Sequence, residues 1–192
     1  VRAIQGSTIA DGYFPKKVYN MGVVTGGHFE DLEIRGNATV TGGYINNCES
    51  QNATWGGKNV NFNGGIVYGK FDFEMGTLTS GILCDLPDTS ASSAVKFNAN
   101  YQTLTASGGK ITPIIDGEDV PPEVVFQGKV YLVGDNVKTR KFRIEPNSPT
   151  FREWKIVSGE ENATITKDTD KSWTVELKGT GDVEIKAIMD PF

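Results

Sequence analysis

Glycine interrupts residues 26–83 too often for a helix to persist there. Gly26, Gly27, Gly36, Gly42, Gly43, Gly56, Gly57, Gly64, Gly65, Gly69, Gly76 and Gly81 leave only short intervals between them, and isolated helices that short are unstable. Inside the intervals apolar and polar residues alternate, as in Leu32 with Ile34, Val60 with Phe62, and Phe71 with Phe73. That is the period of a strand with one buried face. Turns recurring roughly every six to ten residues suit a meander or a β-helical stack of imperfect repeats. Each strand supplies only one or two apolar side chains, so the pattern predicts a partner surface over them. Three identical chains around a common axis would provide it and would remove exposed strand edges. A monomeric sandwich with Gly-rich loops is the alternative.

The flanking segments read differently. Residues 1–25 include Tyr13, Phe14, Pro15 and Tyr19 without a clear period and are expected to be irregular. Residues 26–86 form the Gly-rich, shaft-like region. Residues 87–120 carry Ser90–Ser93, Gly108-Gly109, the acidic run Asp116–Asp119 and two strand candidates, 95–104 and 110–115, and read as a connecting hairpin or neck. From 121 to 192 seven short strands are expected, at 124–126, 129–133, 139–145, 151–157, 163–167, 172–178 and 182–188. Phe142 and Ile144, Trp154 and Ile156, Trp173, Val175 and Leu177, then Val183, Ile185 and Ala187 share parity opposite charged residues, which suits an immunoglobulin-like sandwich.

Charge narrows the functions. A formal net charge of -5 and a pI near 5.0 oppose a phosphate-neutralising surface, so nucleic acid is not an expected partner. No apolar run approaches the ~18 residues of a membrane span, and membrane insertion is not expected. The start at Val1, with neither an initiator Met nor a leader segment, reads as a piece of something longer. Cys48 and Cys84 could pair, but a small buried thiol is equally at home in each strand candidate. Asn37, Asn52 and Asn162 head Asn-x-Thr triplets, read as turn chemistry.

The stretch LEIRGNATVTGG, Leu32 to Gly43, resembles the Gly-Asn-Ala-Thr-Val-Thr-Gly phrases of tail-fibre and related appendage proteins of bacteriophages and prophages. That resemblance implies a homotrimeric shaft with β-helical or interwoven strands at the host-contacting end of a virus particle. Residues 121–192 are similar to bacterial immunoglobulin-like domains of phage structural proteins and of intimin-type and invasin-type adhesins. The likeness lies in Phe142–Pro146, the strand around Trp154 and the closing Gly179–Ala187. Ile156-Val157-Ser158-Gly159 stands where a run of small Ser and Asn residues often follows. The resemblance implies a spacer or carbohydrate-contacting decoration and carries over no binding residues.

No catalytic, metal or cofactor motif emerges. Glu30-Asp31-Glu33, Asp85 with Asp88, and Asp116-Glu118-Asp119 are the carboxylate clusters; glycoside hydrolysis needs two facing across a sugar, and these read as solvated turn acids. His28 reads as a turn residue after Gly27, and a single His builds no His-rich metal site. The loop at Asp116–Asp119 lacks the ligand order of a calcium loop. Trp154 and Trp173 are read as core, while Tyr44, Trp55 and Tyr68 are better placed for exposure, though burial against a partner chain explains them equally. The expected protein is an all-β, non-enzymatic tail fibre or receptor-binding subunit in the virion tail. Its expected partners are itself as a homotrimer, other tail proteins, and a host cell-surface glycan or protein. A bacterial surface or secreted adhesin is the alternative, and a polysaccharide-degrading β-helix enzyme the third reading.

Overall fold

The computed structural model describes residues 1–51, 59–88, 95–98, 100–135 and 137–191. Among them the fold is all-β, a large mixed sheet with one short 3-10 turn, Glu160–Asn162, and no α-helix. The chain divides into two compact units, residues 1–100 with 132–137 and residues 101–131 with 138–192.

The first unit contains β1 (Arg2–Ala3), β2 (Thr8–Ile9), β3 (Tyr13–Phe14), β4 (Val18–Asn20), β5 (Val23–Val24), β6 (His28–Ile34), β7 (Thr39–Val40), β8 (Tyr44–Ser50), β9 (Asn61–Val67), β10 (Phe71–Phe73), β11 (Gly76–Leu83) and β12 (Val95–Phe97). These pair in parallel along three ladders. One aligns Ala3, Asn20, Ile34, Ser50 and Phe73. A second aligns Ile9, Val24, Val40, Phe62, Leu78 and Phe97. The third aligns Phe14, Phe29, Ile45, Val67 and Leu83.

A parallel neighbour can be reached only by carrying the chain around. Along the third ladder it takes 15 residues from Tyr13 to His28, 16 to Tyr44, 22 to Ile66 and 16 to Ile82. The long circuit contains residues 52–58, which lie outside the described set. The circuits stack their inward side chains on one another. Phe29, Ile34, Val40, Ile45, Phe62, Val67, Leu78 and Leu83 are fully buried.

Two expectations are corrected here. Residues 1–25 are not irregular, since β1 to β5 hold register with later circuits. Leu32, Ile34, Val60, Phe62, Phe71 and Phe73, expected to be covered by partner chains, are buried within a single chain. The shortage of apolar side chains per strand is real. It is met by the circuit above and the circuit below rather than by a second molecule.

Glycine builds one corner of each circuit. Gly12, Gly27, Gly43, Gly65 and Gly81 each stand immediately before the third ladder, all with positive φ. The His28 N–H donates to the Gly12 carbonyl at 2.8 Å and the Tyr44 N–H to the Gly27 carbonyl at 2.9 Å. At Gly43, with φ 103, an added Cβ would lie 3.1 Å from the Gly27 carbonyl oxygen, so a side chain there meets both strain and a close backbone.

The second unit contains β13 (Tyr101–Ile115), β14 (Glu118–Asp119), β15 (Phe126–Val133), β16 (Lys141–Pro146), β17 (Phe151–Ser158), β18 (Ala163–Lys167), β19 (Trp173–Leu177) and β20 (Val183–Met189), with the last two residues of β15 falling in the first unit. The early part of β13 runs parallel to β20, which is antiparallel to β17. Its later part is antiparallel to β16, followed by β19 and β18. β13 changes partner at Gly108, φ 93, and Gly109. Phe126, Phe142, Ile144, Trp154, Val175, Leu177, Val183 and Ile185 are buried.

The parity read from the sequence holds at Phe142 and Ile144, at Val175 and Leu177, and at Val183, Ile185 and Ala187. Ile156 is only half-buried. The expected neck, 87–120, instead contributes a 15-residue strand, β13, to this unit.

Candidate functional site

The residue before the inward Phe14, Phe29 and Ile45 points outward, because successive strand side chains face opposite ways. Tyr13, His28 and Tyr44 are thereby placed one above another on the third ladder. Glu30, Asn46 and Tyr68 follow the inward residues Phe29, Ile45 and Val67 and complete the group. Tyr13 is 61% exposed, and the others are half-buried.

The His28 ring is central. Its centroid lies 5.2 Å from Tyr13, 6.3 Å from Tyr44 and 6.0 Å from Tyr68, all edge-on, the geometry that the ring quadrupole favours. His28 Nε2 and the Tyr68 hydroxyl are 2.5 Å apart. The Tyr13 hydroxyl donates to Glu30 Oε1 at 3.3 Å, and Asn46 Nδ2 donates to Glu30 Oε2 at 3.2 Å. A carboxylate and an amide therefore stand at the rim of four aromatic rings. His28 is not a turn residue but the first residue of β6.

The other carboxylates of β6 face a different ladder. Asp31 accepts from Asn47 Nδ2 at 3.0 Å. Glu33, 2% exposed, pairs with Arg35 and, at 3.4 Å, with Lys17 Nζ, which also bonds Glu49. Burial works to raise the Glu33 carboxyl, but hydrogen bonds led by that from Arg35 hold it below the ordinary range. Lys17 is raised, chiefly by its bond to Glu49. The guanidinium of Arg35 lies 4.8 Å from the Tyr19 ring centroid. The small cavity beside this network, about 50 Å³, has room for little more than water. Glu30, Asp31 and Glu33 thus have separate partners and do not face one another as a catalytic pair would.

Asp85 and Asp88 are exposed, and so are Asp116 and Glu118. Asp116, φ 55, and Gly117, φ 83, form the two-residue turn between Ile115 and Glu118, a hairpin turn that Asp-Gly favours. Cys48 is buried and Cys84 half-buried, both free thiols. Burial pushes the Cys48 thiol far up and the Cys84 thiol to about 11.

Trp154 is 5% exposed and buried as expected, while Trp173 is half-buried. Phe151 links them, with ring centroids 5.4 Å from Trp154 and 6.3 Å from Trp173. Of the three aromatics expected to be exposed, Tyr44 and Tyr68 join the His28 cluster, and Trp55 lies outside the described residues, as does Asn52. Among the described residues no group of His, Cys, Asp and Glu is arranged to hold a metal ion, and no helix is long and apolar enough to cross a membrane.

No family model, curated protein or solved structure matches this chain.

The cluster's sequence signal was a faint one. Gly-Tyr at 12–13, Gly-His at 27–28 and Gly-Tyr at 43–44 recur at offsets of 15 and 16, but the 22-residue circuit that follows breaks the period before Tyr68.

Proposed function

We propose that the chain is a non-enzymatic attachment component of a bacteriophage or prophage tail, a tail fibre or receptor-binding subunit of the virion. In this reading the first unit is a β-helical shaft and the second an immunoglobulin-like sandwich. The observation that carries it is the set of three parallel ladders, in which each circuit is laid in register on the one before it. Such a stack is extended by repetition and presents its outer surface to a partner. The β13–β16–β19–β18 and β13–β20–β17 pairings support a sandwich of two sheets.

Homotrimerisation belongs to this reading through the resemblance of Leu32–Gly43, not through a need for apolar cover. The closure of the core within one chain favours a second reading, a bacterial cell-surface or secreted adhesin acting as a monomer. Sedimentation equilibrium separates them. A species near three times 20.8 kDa supports the fibre, and a strict monomer at micromolar concentration supports the adhesin. Retention of the labelled protein by intact bacterial cells tests attachment itself, and a protein retained by no bacterial surface would refute both readings.

A further inference from the structure

We infer that the cluster of Tyr13, His28, Glu30, Tyr44, Asn46 and Tyr68 is a binding site for a neutral oligosaccharide. The inference rests on the attachment reading only for the source of the glycan, a host surface; the site stands on its own geometry.

Sugars present two chemistries at once, flat C–H faces and a rim of hydroxyls, and this surface offers a counterpart to each. Tyr13, His28, Tyr44 and Tyr68 supply ring faces and edges, held apart at centroid distances of 5.2–6.3 Å from His28. Glu30 supplies carboxylate oxygens and Asn46 an amide, already oriented toward each other and toward Tyr13. A purely structural aromatic group would be sealed against the core. Here the rings of His28, Tyr44 and Tyr68 belong to residues next to Phe29, Ile45 and Val67, which are themselves fully buried.

The cluster spans four strands of one ladder. At ~4.8 Å per strand that is a run of roughly 14 Å, fitting a chain of sugars better than a single one. Backbone hydrogen bonds tie each circuit to the next and edge-on contacts with His28 hold the rings of Tyr13, Tyr44 and Tyr68, which lowers the entropy cost of ordering them on binding.

Charge sets the class. The Glu30 carboxylate within the site and the net charge of -5 disfavour uronic acids, sialic acids and phosphorylated sugars through like-charge repulsion. Uncharged hexose chains carry no such penalty and donate hydroxyls to the carboxylate.

The test uses the whole chain, with saturation-transfer NMR and calorimetric titration against maltohexaose, cellohexaose and chitohexaose, and with hexagalacturonic acid as the acidic probe. At least one neutral hexamer is expected to bind, with transfer to its C–H protons. Tyr13→Ala and Tyr44→Ala should each weaken it about three- to tenfold, the scale of one aromatic contact. Tyr13 is exposed enough for that variant to keep the wild-type melting curve, so it decides the matter if Tyr44→Ala fails to fold. Glu30→Gln should improve binding of hexagalacturonic acid relative to the wild type. Binding of no neutral hexamer, or binding that Tyr13→Ala leaves unchanged, overturns the site. If bacterial cells retain the protein while no neutral hexamer binds through these tyrosines, the site is wrong and attachment stands. If neutral hexamers bind through these tyrosines while no cell retains the protein, the site is right and attachment fails.

Discussion

Removing the ring of Phe62 tests whether the first unit carries its own core. Phe62 is fully buried, sits between Val40 and Leu78 on the second ladder, and has its ring centroid 5.3 Å from that of Phe71, the two planes tilted. Phe→Ala in a packed core costs about 3–5 kcal/mol, the transfer term plus the cavity left behind. The upper half of that range applies here, because the neighbouring circuits are tied to each other and cannot close over the hole. The Asn61 N–H donates to the Ala38 carbonyl at 2.9 Å and the Thr77 N–H to the Val60 carbonyl at 2.8 Å.

The assay is urea unfolding of Phe62→Ala in a Trp55→Phe background, read by far-UV circular dichroism and by fluorescence. The remaining tryptophans, Trp154 and Trp173, then report the second unit alone. The dichroism midpoint should fall by the amount that about 4–5 kcal/mol divided by the m-value dictates, at every protein concentration. A loss below about 1 kcal/mol would refute the claim that the ring fills a single-chain core. A loss that shrinks as protein concentration rises would return the burial to an interface between chains.

Three further outcomes follow from named contacts. Trp154→Ala, in the same Trp55→Phe background, should cost about 3–5 kcal/mol by fluorescence of Trp173, since an added Cβ at Gly109 would meet Trp154 Cη2 at 2.4 Å; a loss under ~1 kcal/mol would mean an exposed indole. Glu33 has a folded pKa below its ordinary value of 4.5, so its contribution is fully present above that value and is lost as pH falls through the folded one. Glu33→Gln should therefore destabilise by about 1–3 kcal/mol at pH 7, with the gap from wild type closing under acid; a gap that is constant with pH contradicts the ion-pair account. Under native conditions Cys48 should not react with a thiol reagent and Cys84 should react slowly, its thiol standing near 11; fast labelling of Cys48 would show that circuits open locally.

Local chemistry made much of the second unit legible. Alternation at Phe142, Ile144, Val175, Leu177, Val183 and Ile185 reports which face is buried, because the strand period is two wherever the strand pairs. Asp116-Gly117 announces its turn for a similar reason, since few residues other than Gly, Asn and Asp accept positive φ.

Strand content and glycine corners in residues 26–83 were equally local and were readable, whereas the two- and three-residue strands of residues 1–25 were too short to show a period. What covers Leu32 and Phe62 was not, because a strand's burial depends on partners 14 to 22 residues away, and the long circuit hides the repeat. The same long-range register decides the candidate site. Tyr13, His28, Tyr44 and Tyr68 are distant in the chain, and the glycine that precedes the first three does not precede Tyr68. Only parallel stacking of successive circuits brings their rings onto one outer face, while Glu30, Asp31 and Glu33, adjacent in sequence, are sent to separate partners by strand alternation and by the passage of β6 from one ladder to another.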